Sequence, residues 1–359
     1  MQTPKELGFY FPAEFAPQTA LWLSWPHKEA SWPGKLDAIY NSYCEFILQV
    51  ADHQMVCINI IDDAMKAFAL AQIKSCTYAL KVANLEQLLS HITFYVHPTN
   101  DAWCRDHGPA FLLNHNSTEK AIVDWGYNAW GGKYPPYDLD DVIPTLIGKE
   151  FGLPVFNPGI VMEGGSVEFN GKGTVLTSKA CLLNQNRNPH LNQAQIEKYL
   201  VDYYGVDHVL WVNDGIIGDD TDGHIDDITR FVNEDTVVTV VEENTNDENY
   251  PILQENLHLL SKMRLESGKQ LNIIELPMPK PVIYDDQILP ASYANFYISN
   301  EKVIVPTFRD DTNDVKALDI LQDTFKSRKV IGIDSTDIIW GLGSFHCLSQ
   351  QEPAVVYGK

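Results

Sequence analysis

The stretch Glu163-Gly164-Gly165-Ser166-Val167-Glu168-Phe169-Asn170 decides how this chain folds, because its layout recurs. A polar loop leads into a short extended run that closes on asparagine, and a β-branched run follows a tight turn. Arg105-Asp106-His107-Gly108-Pro109 leads in the same way to Phe111-Leu112-Leu113-Asn114, and Gly223-His224-Ile225-Asp226 to Arg230-Phe231-Val232-Asn233. The segment Ala291-Ser292-Tyr293-Ala294-Asn295 leads to Phe296-Tyr297-Ile298-Ser299-Asn300. The four asparagines are 56, 63 and 67 residues apart, and strand-like runs follow at 121–125, 174–177, 236–241 and 302–306. Asparagine tolerates the left-handed backbone of hairpin turns, so each unit reads as a hairpin. A fifth, degenerate copy is Gly341-Leu342-Gly343-Ser344-Phe345-His346-Cys347-Leu348-Ser349-Gln350, followed by residues 354–357.

Helical stretches are expected between the hairpins at 140–151, 193–204, 250–267 and 314–327, with an earlier one at 37–51. Residues 193–204 place Ile196, Leu200 and Tyr203 at helical spacing, and Gly205 stops the pattern. A hairpin cannot bury its face alone, so the simplest architecture is a single α/β domain spanning 1–359, with about five ββαβ-like units in pseudo-five-fold array around an axis. The Pro- and Gly-rich stretches 131–136 and 277–281 then read as loops between units.

Composition sets limits on partners. The chain has 359 residues, 26 Lys+Arg against 48 Asp+Glu, and a formal charge of −22. That excludes a nucleic-acid binder driven by counterion release and leaves cationic small molecules as the favoured ligands. At 45% hydrophobic and 21% charged, it has the composition of a globular protein. No stretch reaches the roughly 20 apolar residues needed to cross a bilayer, so no membrane association is expected. The first residues lack a secretion signal. Cys44, Cys57, Cys76, Cys104, Cys181 and Cys347 lie far apart without a Cys-x-x-Cys pair, against a disulfide framework or structural zinc. A reducing cytoplasm is the expected location, with no metal and no cofactor; self-association is left open.

Units around one axis would bring their loops to one level. The loops carry Asp106, Glu163, His224 with Asp226, an uninformative 292–295 segment, and Cys347. A thiol, an imidazole and three carboxylates form a nucleophilic-catalysis set with a seat for a planar cation. In an extended chain His224 and Asp226 would share a face, about 6–7 Å apart. His346 would face away from Cys347, which makes His224 the better base. Cys104, beside Trp103 and Arg105, is a rival nucleophile. Residues 219–227 invite a calcium-loop reading, but aligning Gly223 with the turn glycine of such a loop puts Gly218 and Thr229 at ligand positions, and the match fails. Trp103, Trp125, Trp130 and Trp340 cluster near the loops, as core or as faces for a substrate.

The motifs 100–109, Tyr127-Asn128-Ala129-Trp130-Gly131-Gly132-Lys133-Tyr134, Glu163-Gly164-Gly165, Asp222-Gly223-His224-Ile225-Asp226 and His346-Cys347 with Gln350-Gln351 together resemble the agmatine deiminase family, which includes bacterial peptidylarginine deiminases. The resemblance runs from Trp25-Pro26 to the C-terminus. It implies a pentein fold, a five-bladed α/β propeller, and hydrolysis of agmatine to N-carbamoylputrescine and ammonia through a covalent amidino-thioether. By motif position it implies Cys347 as nucleophile, His224 as general acid/base, and Asp106 and Asp226 as guanidinium-binding carboxylates. Glu163 would orient the histidine, and Trp103 would lie along the aliphatic part of a small cationic guanidino substrate. The family's nucleophile loop usually reads Gly-Gly-Gly-Asn-Ile-His-Cys, and 341–347 depart from it. Action on peptidyl or free arginine, with Arg230 or Lys133 reading a carboxylate or amide, stays open, as do amidino transfer and a non-catalytic binding scaffold.

Overall fold

A computed structural model describes residues 2–80 and 84–355. The hairpin at the centre of the sequence pattern forms: Val167–Phe169 runs antiparallel to Thr174–Ser178. Helix Gln193–Tyr204 then returns the chain, and His208–Val212 joins Thr174–Ser178 in parallel. Two more units repeat this ββαβ path. Thr229–Phe231 pairs with Thr236–Val241, which pairs in parallel with Asn272–Pro277 after helix Asn249–Leu260. Tyr297–Ile298 pairs with Lys302–Thr307, and Lys329–Asp334 follows helix Asn313–Thr324. In another, Ala110–Asn114 pairs with Lys120–Val123, helix Ile143–Phe151 crosses over, and Val155–Phe156 is the parallel partner. Every residue of Thr236–Val241 is buried, which is why both faces carry β-branched side chains without alternation.

The fifth unit differs from expectation. Ser349–Pro353 takes its antiparallel partner from the other end of the chain, Gln18–Ser24, rather than from 354–357. Residues 356 and 357 of that expected run lie outside the described residues. Gln18–Ser24 then pairs in parallel with Met55–Ile60 after helix Leu36–Ala51, and Met55–Ile60 with Ile92–Val96. The first and last segments therefore complete one sheet together.

The asparagine turns also form by another route. Asn114, Asn170 and Asn233 are absent from the left-handed residues. Their side-chain oxygens instead accept the backbone N–H two residues on, from Asn116, Lys172 and Asp235, an Asx turn that needs no unusual φ. Helix Gln193–Tyr204 begins in a capping box of Asn192 and Gln195 and ends at Gly205, φ 69°, as its spacing predicts. The expected 250–267 helix stops at Leu260. The helices Asp63–Leu80 and Leu85–Ser90 lie outside the expected set. No helix among the described residues is long and apolar enough to cross a membrane.

Candidate active site

The five repeated loops meet, that of residues 291–295 through Asn295. Asp106 lies on the one-turn helix Cys104–His107, Glu163 precedes and Gly165 lies within the turn Gly164–Ser166 ahead of Val167–Phe169, and His224 opens the turn Ile225–Asp227. Cys347 follows the turn Ile338–Gly341. The His224–Asp226 segment is thus a tight helical turn and not an extended run, which brings His224 Nδ1 to 4.0 Å from Asp226 Oδ1 and 3.8 Å from Asp106 Oδ1. Gly165 is required here by space. A Cβ on it would sit 2.6 Å from His224 Nδ1 and 2.9 Å from Asp106 Oδ1, and its N–H donates to that oxygen at 2.9 Å.

A pocket of about 280 Å³ descends to Asp106 and Cys347. Trp103, Trp130 and Trp340 line it, and Trp103 stacks on Trp32 at 5.1 Å. Trp130 also donates its indole N–H to Asp106 Oδ2 at 3.0 Å. Trp125 belongs elsewhere, packed on Tyr203 and Tyr204. Leu342, where the family motif has glycine, lines the pocket in a left-handed conformation, φ 71°. The lining includes Asp101, Asp106, Asp220 and Asp285 and, among the described residues, no lysine or arginine.

One contact deeper the groups are fully buried. Cys347 Sγ lies 3.6 Å from Asp226 Oδ2 and accepts the Asn295 Nδ2–H at 3.0 Å. His346 does not face away from Cys347, because the loop is a turn: its Nδ1 pairs with Asp226 Oδ2 at 2.6 Å and its Nε2 with Glu14 Oε2 at 2.7 Å. Glu14 also receives Arg105 at 2.9 Å and Arg230 at 3.1 Å. Among the described residues neither ring nitrogen of His224, nor Glu163 Oε2, nor Asp226 Oδ1 has a hydrogen-bond partner. Glu163 Oε1 takes Arg187 Nε at 2.5 Å, and the Glu163 carboxylate and the His224 ring lie within 4.8 Å of each other without a hydrogen bond between them.

Burial, with Asp226 and Glu163 nearby, pushes the Asp106 carboxyl up to about 6 despite His224. Burial works against a charge on His224, but Asp106 and Asp226 outweigh it and hold the imidazole well above its usual range. Burial and then Asp226, Asp227 and Asp106 push the Cys347 thiol well up, so the free site holds a thiol beside unspent negative charge. That charge calls for a cation.

The remaining candidates settle into structural roles. Cys104 packs in the core, raised to about 12 by burial. Arg230 is fully buried against Glu14, Glu168 and the Phe296 ring. Lys133 is bound by Asp220 and Asp222. The 219–223 loop is neutralised by Lys133 and Arg187, while Asp219 caps backbone N–H groups. Two donor groupings could grip an ion, Glu163–Cys181–His224 and Asp226–Asp227–Cys347. Both are made of groups around the pocket floor, and Glu163 and Asp226 already engage Arg187 and His346.

Sequence reasoning missed Glu14, Asn295, Trp130 as a hydrogen-bond donor, and His346. Asn295 did carry a signal, since it occupies the repeated loop position. Glu14 carried none.

Comparison with known proteins shows the family of the chain. The family model for Porphyromonas-type peptidyl-arginine deiminase matches residues 10–353. A Legionella pneumophila (strain Paris) protein named "Putative agmatine deiminase" is 36% identical over 353 residues, covering 98% of this chain and 97% of that protein. The agmatine deiminase of Enterococcus faecalis superposes with a TM-score of 0.88 at 33% identity, covering 99% of both chains. A substrate-bound Cys-to-Ser variant of the C. jejuni agmatine deiminase does so at 0.83 and 33%, covering 97% of both. With this match along nearly its whole length, the chain belongs to the Porphyromonas-type peptidyl-arginine deiminase family.

Proposed function

We propose that the protein is an agmatine deiminase, hydrolysing agmatine to N-carbamoylputrescine and ammonia. The observation that carries this is a pocket lined by four aspartates and, among the described residues, by no lysine or arginine, which ends on Asp106 beside the Cys347 thiol, with Asp226 Oδ1 behind it left without a hydrogen-bond partner. A guanidinium between Asp106 and Asp226 satisfies both with paired N–H bonds and fixes its plane for attack. Its positive charge offsets the groups that hold Cys347 protonated, and the thiol releases its proton to solvent as the cation binds, to regain one once the C–S bond has broken. Sulfur then bonds to the guanidinium carbon. His224 hands a proton to the nitrogen that leaves as ammonia, then takes one from the water that cleaves the C–S bond. Glu163 steadies the imidazolium, and Trp103 packs along the methylenes. In the pocket lining Asp285, which has no ion pair among the described residues, suits the second amine of agmatine, whereas free arginine brings a carboxylate there.

The same reading takes the five ββαβ sheets as blades of a single pentein domain over 1–359. Five equivalent loops supplying one floor support it. The test measures ammonia release from agmatine, free arginine and a peptide with C-terminal arginine. Agmatine is expected to be preferred at least tenfold in kcat/KM; a preference for either arginine substrate overturns the assignment.

A further inference from the structure

The carboxamide of Asn295 sits against the sulfur of Cys347 with all four of its hydrogen-bonding capacities used. Its Oδ1 accepts the backbone N–H of His346 at 3.1 Å and of Cys347 at 3.3 Å. Its Nδ2 donates one hydrogen to Asp227 Oδ1 at 2.8 Å and one to Cys347 Sγ at 3.0 Å. Only one orientation of the amide is compatible with this set, since a flipped group would point N–H at two N–H donors. All three side chains are buried, Asn295 at 1% exposure. Asp227 is in turn fixed in place: its backbone oxygen accepts the hydroxyl of Ser292, which belongs to the same loop as Asn295.

We propose that Asn295 is a catalytic residue that holds the Cys347 sulfur as thiolate, and that Asp227 is the positioning residue that keeps the amide turned toward it. This rests on the reading of Cys347 as nucleophile. The sulfur carries negative charge twice in the cycle, before it attacks and when the C–S bond breaks. The carboxylates around it, Asp226, Asp227 and Asp106, all oppose that charge. The Asn295 N–H is the neutral donor that favours it, and a hydrogen bond to an ionised acceptor is stronger than one to a neutral thiol.

The experiment compares N295A, N295D and D227N with wild type in the full chain, by melting temperature, kcat and KM for agmatine, and the pH midpoint of Cys347 alkylation by iodoacetamide, located by peptide mass. Asp at 295 keeps an oxygen for both backbone N–H groups but loses the donor, so it separates bracing of the loop from contact with the sulfur. N295A is expected to lower kcat about 10- to 100-fold with KM within about threefold, and to raise the alkylation midpoint by about one unit. N295D is expected to lose at least as much, and D227N less than either. An N295D protein with wild-type kcat and alkylation midpoint overturns the proposal. If wild type releases no ammonia from agmatine, the functional reading fails, while the alkylation midpoint still decides the role of Asn295.

Discussion

Two buried acidic clusters lie side by side in this protein, joined by His346, and they are compensated in opposite ways. Glu14 and Glu168 are met by the chain's own guanidinium groups, Arg105 and Arg230. Burial opposes the charge on Glu14, but His346, Arg230 and Arg105 together hold its carboxyl well below the usual range. Asp226 takes His346 from the same side, and Asp106, which lines the pocket, has no arginine bonded to it and is driven up to about 6. The protein thus holds, side by side, carboxylates that seat the chain's own guanidinium groups and, on the function proposed above, carboxylates that a substrate's guanidinium would meet.

The contrast can be broken in several places. Cys347→Ala has the largest expected effect, a loss of ammonia release of about 10³-fold or more, read in a steady-state assay with agmatine. Asp106→Asn comes next: kcat/KM falls about 10²-fold while the melting temperature holds or rises, because a buried charge whose burial outweighs the help of His224 is gone. A fall in melting temperature with activity intact would show that Asp106 is structural. Glu14→Gln has the opposite signature. Breaking a buried ion pair destabilises by about 3–5 kcal/mol, visible in denaturant unfolding. Unchanged stability there would remove the distinction between the clusters.

The smallest effect is in pH. Protonated Asp106 cannot hold a cation, so kcat/KM for agmatine should fall as pH drops through about 6. Stability moves the other way for this group. Its folded value lies above the unfolded one, so its contribution is full below the usual carboxylate range and is lost as pH rises through about 6. Glu14, held low, contributes above its unfolded value and loses that contribution as pH falls below it. A flat kcat/KM profile between about pH 5 and 7 would count against Asp106 as a cation ligand.

The repeat made most of the fold readable, because hairpin, turn and helix each carry a local signal. The run 236–241 forms with the expected bounds, and helix Gln193–Tyr204 does so between its capping residues. What was not readable depends on distant partners. Nothing local in 349–353 says that its neighbour is Gln18–Ser24. Asp63–Leu80 mixes alanine and polar residues without a clear apolar stripe, so its periodicity gives no helical signal. In the site, the loops announced the thiol, the imidazole and the acids, whereas the assignment of Arg230 to Glu14 and Glu168, and so its removal from substrate recognition, exists only in three dimensions.

The sheet shared by Gln18–Ser24 and Ser349–Pro353 bears on how the protein comes into being. As a ribosome makes the chain, the early strand waits with one edge bare until residues 349–353 have been made. Glu14, just ahead of it, waits as long for His346. A chain stopped short of residue 346 lacks Cys347 and leaves Gln18–Ser24 with an open β edge, which makes it a candidate for proteolysis rather than a slower enzyme.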